Sequence, residues 1–280
     1  MDFPICRTCG VQYDQAHFDP ERCKICADER QYLGWDGQQW TSLDELARQG
    51  HRGVVRQEEN GELWGVGTEP GVAIGQRALL VPGEGGNLLW DSITYLDDAT
   101  VEQVAARGGI AAIALSHPHY YSSMVEWSRA FGDVPIYIHA ADREWVCRDG
   151  NYVFWEGDTH EPLPGRTLVN CGVHFAGGTV LHWADGADGR GVLCSGDIIQ
   201  VVNDRRWVSF MYSYPNYIPE SPEVVGRAWR LLEPLPFEVV YGAWWRRVVV
   251  GDAKAAVARS IDRYFEKIRH PSPVNRTTDV

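Results

Sequence analysis

Short apolar runs separated by Gly and Pro turns dominate the chain between Leu63 and Trp90. Runs of three or four apolar residues bounded by turn residues are typical of β-strands. The pattern therefore predicts four consecutive strands, which are Leu63–Val66, Val72–Ile74, Ala78–Val81 and Asn87–Trp90.

The spacing of apolar positions then changes to an alternation of helices and buried strands. Helices are predicted at Val101–Ala106 and Tyr121–Phe131, and strands follow them at Ile110–Leu115 and Val134–His139. This alternation predicts strand–helix units at the end of a first sheet.

The second half of the chain repeats this order of strands followed by a mixed segment. The predicted elements are the strands Thr167–Val169, Thr179–Trp183 and Gly191–Cys194, the helix Pro222–Leu232, the strand Phe237–Tyr241 and the helix Asp252–Arg269. Two halves of this kind predict two sheets packed together, with helices on the outside.

Composition and charge narrow the class of protein. The 280 residues include 44% hydrophobic residues, which is enough for one large core and a small appendage. No apolar run approaches the roughly 20 residues of a membrane helix, and Met1–Pro4 begins no signal core, so we expect a cytoplasmic protein without a membrane partner. The net charge of −12 disfavours nucleic acid as a partner, because an acidic surface repels phosphates.

Four of the seven cysteines form two Cys-x-x-Cys pairs, Cys6 with Cys9 and Cys23 with Cys26. Thirteen residues separate the pairs, and this spacing can place four thiolates around one tetrahedral ion. We predict a structural zinc site, with iron or a redox dithiol as the alternatives.

The domain boundaries follow from the change in composition near residue 32. Residues 1–32 carry few aliphatic side chains and are predicted to form the zinc ribbon. Residues 33–59 would be a connector with a short helix at Trp40–Leu46, capped at its start. The main domain would span residues 60–270, and residues 271–280 would form a flexible tail.

A second group of candidate metal ligands follows predicted strands of the main domain. His117 and His119 come after the strand that ends at Leu115, and alternate side chains of an extended segment point to the same side. His174 lies in a glycine-rich turn after a later strand, and Asp197 follows another. The spacing of the first two histidines would be weak evidence for a ligand role by itself.

Taken in order, these residues resemble the metallo-β-lactamase superfamily across roughly residues 60–270. The family has a strand ending in Asp (here Asp91), then a His-x-His motif, a Gly-x-His-x-x-Gly motif and a Gly-Asp motif. The resemblance implies a four-layer αββα sandwich of the α/β (α+β) class, with the ribbon added at its N-terminus. It further implies that His117, His119 and His174 are metal ligands and that Asp197 bridges or approaches the metal.

Departures from the family's motifs concern the second metal site. Tyr121 and Ser122 stand where the family has Asp and His, and Ala243 stands where it has a late His. We therefore predict one active-site metal, zinc by default and iron or manganese as alternatives, with Asp197 as fourth ligand or as a hydrogen-bond acceptor for bound water. Proton transfer would fall to Asp197, Tyr120 or Tyr121, although Tyr121 could equally fill the second site as packing.

The predicted function is hydrolysis of an ester-like bond, such as a thioester or lactone, by a metal-activated water. A catalytically silent binding protein and an iron-dependent oxidoreductase are the alternatives. Aromatic side chains near the expected cleft suit a small-molecule substrate with an apolar or aromatic part, or they pack the sheets. They are Trp145, Trp155, Trp207, Trp244, Trp245, Tyr212, Tyr214 and Tyr217.

Overall fold

Residues 3–59, 61 and 63–269 are described in a computed structural model, and the predicted tail, 271–280, lies outside this part. The strands are β1 (Ile5–Cys6), β2 (Trp40–Thr41), β3 (Arg52–Gln57), β4 (Trp64–Glu69), β5 (Ala78–Val81), β6 (Leu88–Trp90), β7 (Ala112–Ala114), β8 (Ile136–His139), β9 (Tyr152–Trp155), β10 (Thr159–Leu163), β11 (Arg166–Asn170), β12 (Thr179–Trp183), β13 (Val192–Gly196), β14 (Gln200–Val201), β15 (Val208–Ser209), β16 (Met211–Ser213), β17 (Ile218–Pro219), β18 (Val239–Gly242) and β19 (Val248–Val250). The helices are α1 (Leu43–Arg48), α2 (Asp98–Ala105), α3 (Met124–Ala130), α4 (Gly186–Gly189), α5 (Pro222–Leu232) and α6 (Ala253–Arg269), with 3₁₀ turns at Pro118–Tyr120 and Ala140–Trp145.

Two large sheets carry the fold. The first has the order β3-β4-β5-β6-β7-β8-β9 and is antiparallel up to β6 and parallel from β6 onward. The second has the order β10-β11-β12-β13-β18-β19, in which only the pair of β13 and β18 is parallel. Because β3 begins at Arg52, the first sheet already starts within the residues predicted as the connector.

Alternating side chains of the strands divide the core into layers. In β5, Leu79 and Val81 pack between the two sheets, whereas Leu80 faces the cluster that α2 and α3 cover. In β13, Cys194 faces the other sheet and Leu193 faces the side of α5 and α6. Since successive strand residues point to opposite faces, one apolar run feeds two core layers. The resulting helix–sheet–sheet–helix order confirms the predicted αββα class.

Most predicted elements of the main domain are present. The bounds of α5 and β5 coincide with the prediction, and Ser221 caps α5 by accepting from the backbone N–H of Val224 at 3.3 Å. The predicted helix of the connector is α1, whose N-cap is Ser42. The second predicted helix is shorter than expected, because a 3₁₀ turn precedes α3 and Ser122 has a positive φ.

One predicted strand, Val72–Ile74, is wrong. This segment is a turn in which Ala73 has a φ of 52°, and the backbone N–H of Gly75 donates to the carbonyl of Val72 at 2.9 Å. Three apolar residues match the composition of a strand, but a run this short does not show whether the segment pairs with a neighbouring strand.

The ribbon packs directly on the main domain. Its four cysteines lie in the same apolar cluster as Val104 and Trp127 of the first sheet's helices. The backbone N–H of Gln12 donates to the carbonyl of Ser122 at 3.0 Å, and that of Asp14 donates to the carbonyl of Cys147. The ribbon is thus one of the groups that cover the outer face of the first sheet.

A buried ion pair joins the first sheet to the loop after β18. Arg77 and Glu58 are almost fully buried, and the guanidinium binds the carboxylate with two hydrogen bonds. Arg77 also donates to the carbonyls of Gly242 and Ala243, the latter through its backbone N–H at 2.9 Å. Ala243 stands where the family has its late His, and this residue therefore makes a structural contact between the two sheets.

No helix within the described residues is both long enough and apolar enough to span a membrane.

Candidate metal centre

Three buried histidines converge at the edge where the two sheets meet. His117 follows β7, His119 lies in the 3₁₀ turn Pro118–Tyr120, and His174 lies in the loop between β11 and β12. Each is at most 3% exposed, and one ring nitrogen of each lies within 4.8 Å of the others. The sequence predicted that an extended chain places both histidines on one side. The extended chain ends at His117, and the 3₁₀ turn Pro118–Tyr120 brings His119 beside it.

Hydrogen bonds on the outer ring nitrogens orient two of these side chains. The Nδ1 of His174 donates to the carbonyl of Tyr212 at 2.7 Å, and the Nδ1 of His117 lies 2.9 Å from the hydroxyl of Ser116. The Nε2 atoms of both rings therefore face the centre of the cluster. Such bonds fix the tautomer and the ring orientation of a metal-ligating imidazole.

Asp197 completes the cluster. Its Oδ1 lies 3.3 Å from the Nε2 of His117, and neither atom has a hydrogen-bond partner although both are buried. The Nε2 of His174 lies 3.0 Å from the Nδ1 of His119. Two ligands of a tetrahedral ion, each about 2.0–2.1 Å from it, lie about 3.3 Å apart. The unpaired Nε2 of His117 and the separation of His174 from His119 fit a divalent cation, beside which the unpaired Oδ1 of Asp197 can accept a hydrogen bond.

The protonation states suit a cation as well. Burial holds the pKa of His117 and His119 well below the usual range and lowers the pKa of His174 to about 4, so all three rings are neutral at pH 7. Neutral imidazoles keep their lone pairs for a metal. Burial also raises the pKa of Asp197 to about 7.

Asp91 ties the first sheet to the histidine motif. It has a φ of 62° at the end of β6, and its Oδ1 accepts from the backbone N–H of Ser116 at 2.8 Å. The bond fixes the start of the segment that carries His117. The resemblance placed this residue at a strand end, and the structure supplies its contact.

His174 has a strained backbone that two residues from distant parts of the chain hold in place. Its φ is 69°, a conformation unfavourable for a residue with a Cβ. The carboxylate of Glu220 accepts from its N–H at 2.9 Å, and Arg30 of the ribbon donates to its carbonyl at 3.3 Å. Neither Glu220 nor Arg30 is predicted from the sequence, because nothing in their local sequence marks a contact made across the fold.

Replacing Glu220 with Gln should lower metal affinity at the three histidines by about 10–100-fold, because Glu220 positions His174. The amide offers only one acceptor oxygen to the N–H groups of His174 and Ser221. Competition with a fluorescent zinc chelator measures this affinity. Exposed Glu223, at the start of α5, provides the control Glu223→Gln, for which no change is expected. Equal affinity in the two variants would rule out the positioning role.

The two candidate tyrosines have different surroundings. Tyr120 is fully buried with its ring centroid 4.4 Å from that of His117, and its hydroxyl lies close to the carboxylate of Asp197. Tyr121 instead lies in the apolar cluster under the ribbon and donates to the carbonyl of Asp142 at 3.3 Å. The structure therefore brings Tyr120 to the metal cluster and places Tyr121 in packing.

The positions of a second metal site are used for structural contacts. The hydroxyl of Ser122 accepts from the side chain of Gln76 at 2.9 Å, and Ala243 contacts Arg77. Among the described residues, the groups of His, Cys, Asp and Glu that could hold a metal are the three histidines and the four cysteines.

The four cysteines also form a compact cluster. The Sγ atoms of Cys6 and Cys26 are 3.7 Å apart, as are those of Cys9 and Cys23. Thiolates about 2.3 Å from a tetrahedral ion lie about 3.8 Å apart, so the spacing fits one ion. The hydroxyl of Tyr13 lies 3.1 Å from the Sγ of Cys23.

A cavity of about 350 Å³ opens onto the three-histidine cluster. Trp244 and Tyr214 line it, as do His119, His174 and Asp197. The other predicted aromatic residues do not line this cavity: Trp155 packs between the sheets, Trp245 packs over Gly65 and Gly67, and Tyr217 is exposed. The predicted aromatic wall is therefore smaller than the sequence suggested.

Comparisons with known proteins identify one curated relative and many solved structures. The relative is described as the uncharacterized protein YmaE of Bacillus subtilis (strain 168) and is 48% identical over 269 residues, which cover 96% of this chain and 97% of YmaE. No family model matches the chain.

Metallo-β-lactamases are among the solved structures similar to this chain. VMB-1 has a TM-score of 0.56 and 13% identity, covering 75% of this chain and 95% of its own. DIM-1 has a TM-score of 0.53 and 12% identity, and the match covers 75% of this chain and 98% of DIM-1. A B3 metallo-β-lactamase with an active-site glutamic acid has a TM-score of 0.52 and 14% identity, and the match covers 75% of this chain and 88% of that enzyme. At these identities the likeness concerns the fold.

Proposed function

We propose that this chain, which belongs to the same family as YmaE and has the metallo-β-lactamase fold, is a single-metal hydrolase. The substrate is a small molecule with an ester-like bond, such as a thioester or lactone, and an apolar or aromatic part. The observation that carries the proposal is the convergence of three neutral histidines and Asp197 at the base of a cavity.

The residues of the cluster have separate tasks in this reaction. His117, His119 and His174 would hold a divalent cation, zinc by default, which lowers the pKa of a water molecule toward about 7 and polarises a carbonyl oxygen. Asp197 accepts the proton of the attacking water through its unpaired Oδ1 and passes it to the leaving oxygen or sulfur. Tyr120 packs against His117 and keeps its ring in place.

The four-cysteine cluster has a different task. Four thiolates would close the coordination sphere of a zinc ion, so no position remains for a substrate. The ion would hold the ribbon, whose own apolar core is small, against the first sheet.

Metal analysis and a substrate panel test the proposal together. Elemental mass spectrometry of the full chain should find two metal ions, and thioesters and lactones should be hydrolysed with a rate that falls on chelation and returns with metal. Removing the ribbon is unsuitable for assigning the ions, because it would uncover the apolar cluster of the first sheet.

Three outcomes separate the alternatives. Two ions with metal-dependent turnover support the hydrolase. A bound ion with no turnover on any ester, thioester or lactone would favour a silent binding protein. Iron at the histidines together with oxygen consumption would favour the oxidoreductase.

A further inference from the structure

The ribbon forms one side of the cavity that leads to the three histidines. Thr8, Gln31 and Tyr32 of this N-terminal region line it opposite residues of the main domain. Hydrogen bonds fix this arrangement, since Ser213 donates to the carbonyl of Arg30 at 3.0 Å and Asn216 to that of Gln31 at 3.5 Å.

Gln31 has a side chain that the protein leaves unpaired. The residue is only 7% exposed, and its Oε1 is buried without a hydrogen-bond partner. A buried acceptor without a partner is energetically unfavourable, because it has lost its hydrogen bonds to water. Gln200 lines the same cavity, and its side-chain Oε1 is also buried without a hydrogen-bond partner. A ligand that donates hydrogen bonds would satisfy both groups.

The charge of the cavity wall limits the ligand further. None of the described residues that line the cavity is Lys or Arg, and the ionisable groups there are Asp197 and two neutral histidines besides phenols. An anionic group away from the metal would find no cationic partner on this wall. Ala73, Ile74, Pro215 and Trp244 provide an apolar surface beside the amides.

We propose that Gln31 of the ribbon is a substrate-binding residue and that the substrate is uncharged at the part it contacts. That part is an amide or hydroxyl group, and it lies next to an apolar or aromatic group on the surface of Ile74 and Trp244. The identity of the ligand as a substrate rests on the proposed function, whereas its binding does not require turnover.

Calorimetric titration with phenylacetamide tests this proposal on the full chain with its metals. The probe joins a primary amide, which can donate to Oε1 and accept from Nε2, to an aromatic ring. Gln31→Met keeps the side-chain length but removes the amide, and should weaken binding about tenfold, as expected for a lost buried hydrogen bond. Gln15→Met, at an exposed glutamine of the same ribbon, is the matched control and should change nothing.

Phenylacetate provides the comparison in charge, because its carboxylate has the same shape but donates no hydrogen bond. Its affinity should fall less than that of phenylacetamide on Gln31→Met, because it makes no hydrogen bond to Oε1. The proposal is overturned if phenylacetamide does not bind saturably at millimolar concentration, or if Gln31→Met and Gln15→Met bind it equally.

Turnover separates failure of this proposal from failure of the proposed function. If esters are hydrolysed, Gln31→Met should raise KM for amide-bearing esters and leave kcat nearly unchanged, because Gln31 contacts no reacting atom. If no ester is hydrolysed but the phenylacetamide result holds, Gln31 is a ligand-binding residue and only the hydrolase proposal fails. Melting temperatures and metal content of both variants show whether the fold is retained.

Discussion

Replacing His119 with Ala should abolish hydrolysis and remove one of the two metal ions, while the ion at the four cysteines remains. The variant lacks one of the three imidazoles that would hold the cation. Without the cation, no water is activated and no carbonyl is polarised. We expect kcat/KM to fall by at least about a thousandfold. Initial rates on the most active substrate and metal content per chain measure both effects.

The control for this prediction is His51→Ala. His51 lies outside the cavity, and its Nδ1 contacts the carbonyl of Pro70 at 2.9 Å. This variant should keep both ions and its activity. Full activity of a folded His119→Ala protein would contradict the metal site, and intact ligand affinity without activity would still agree with it.

Replacing Cys23 with Ser should release the other ion and destabilise the chain. Structural zinc contributes an apparent binding free energy of about 10–16 kcal/mol in small zinc modules, and most of it would be lost with one thiolate. Because the four cysteines belong to the core cluster of the first sheet, unfolding of the ribbon should also lower the stability of the main domain. A large decrease in melting temperature and the loss of one ion are expected.

Cys147→Ser serves as the matched control, since Cys147 is buried but already donates to the carbonyl of Trp145 at 3.2 Å. A serine can make the same hydrogen bond, so both ions should stay bound. If Cys23→Ser keeps both ions and its melting temperature, the four-cysteine cluster does not hold a structural metal.

The two variants also differ in their effect on the cavity. His119→Ala leaves the wall formed by Gln31 in place, so phenylacetamide should still bind to it. Cys23→Ser should weaken that binding, because the unfolded ribbon no longer supplies Gln31. Binding and catalysis can therefore be lost separately.

Local patterns were sufficient for the elements whose signals are local. The bounds of α5 follow from Ser221 as N-cap, Pro222 in the first turn and a helical apolar face. The spacing of the two Cys-x-x-Cys pairs likewise indicated the four-cysteine cluster, whereas the resemblance to the metallo-β-lactamase superfamily indicated the three histidines. Val72–Ile74 failed because a run of three apolar residues does not distinguish a strand from a turn.

The amino-acid sequence by itself determined two packed sheets with outer helices and the four-cysteine cluster, because periodicity, capping and Cys-x-x-Cys spacing are properties of neighbouring residues. The resemblance that its motifs carry indicated the αββα family and the three histidines. Only the tertiary structure decided that Glu220 and Arg30 hold His174, that Tyr120 faces the cluster while Tyr121 packs under the ribbon, and that Gln31 lines the cavity. Arg30 and His174 are 144 residues apart, and such contacts depend on how the sheets and the ribbon pack, which no short segment encodes.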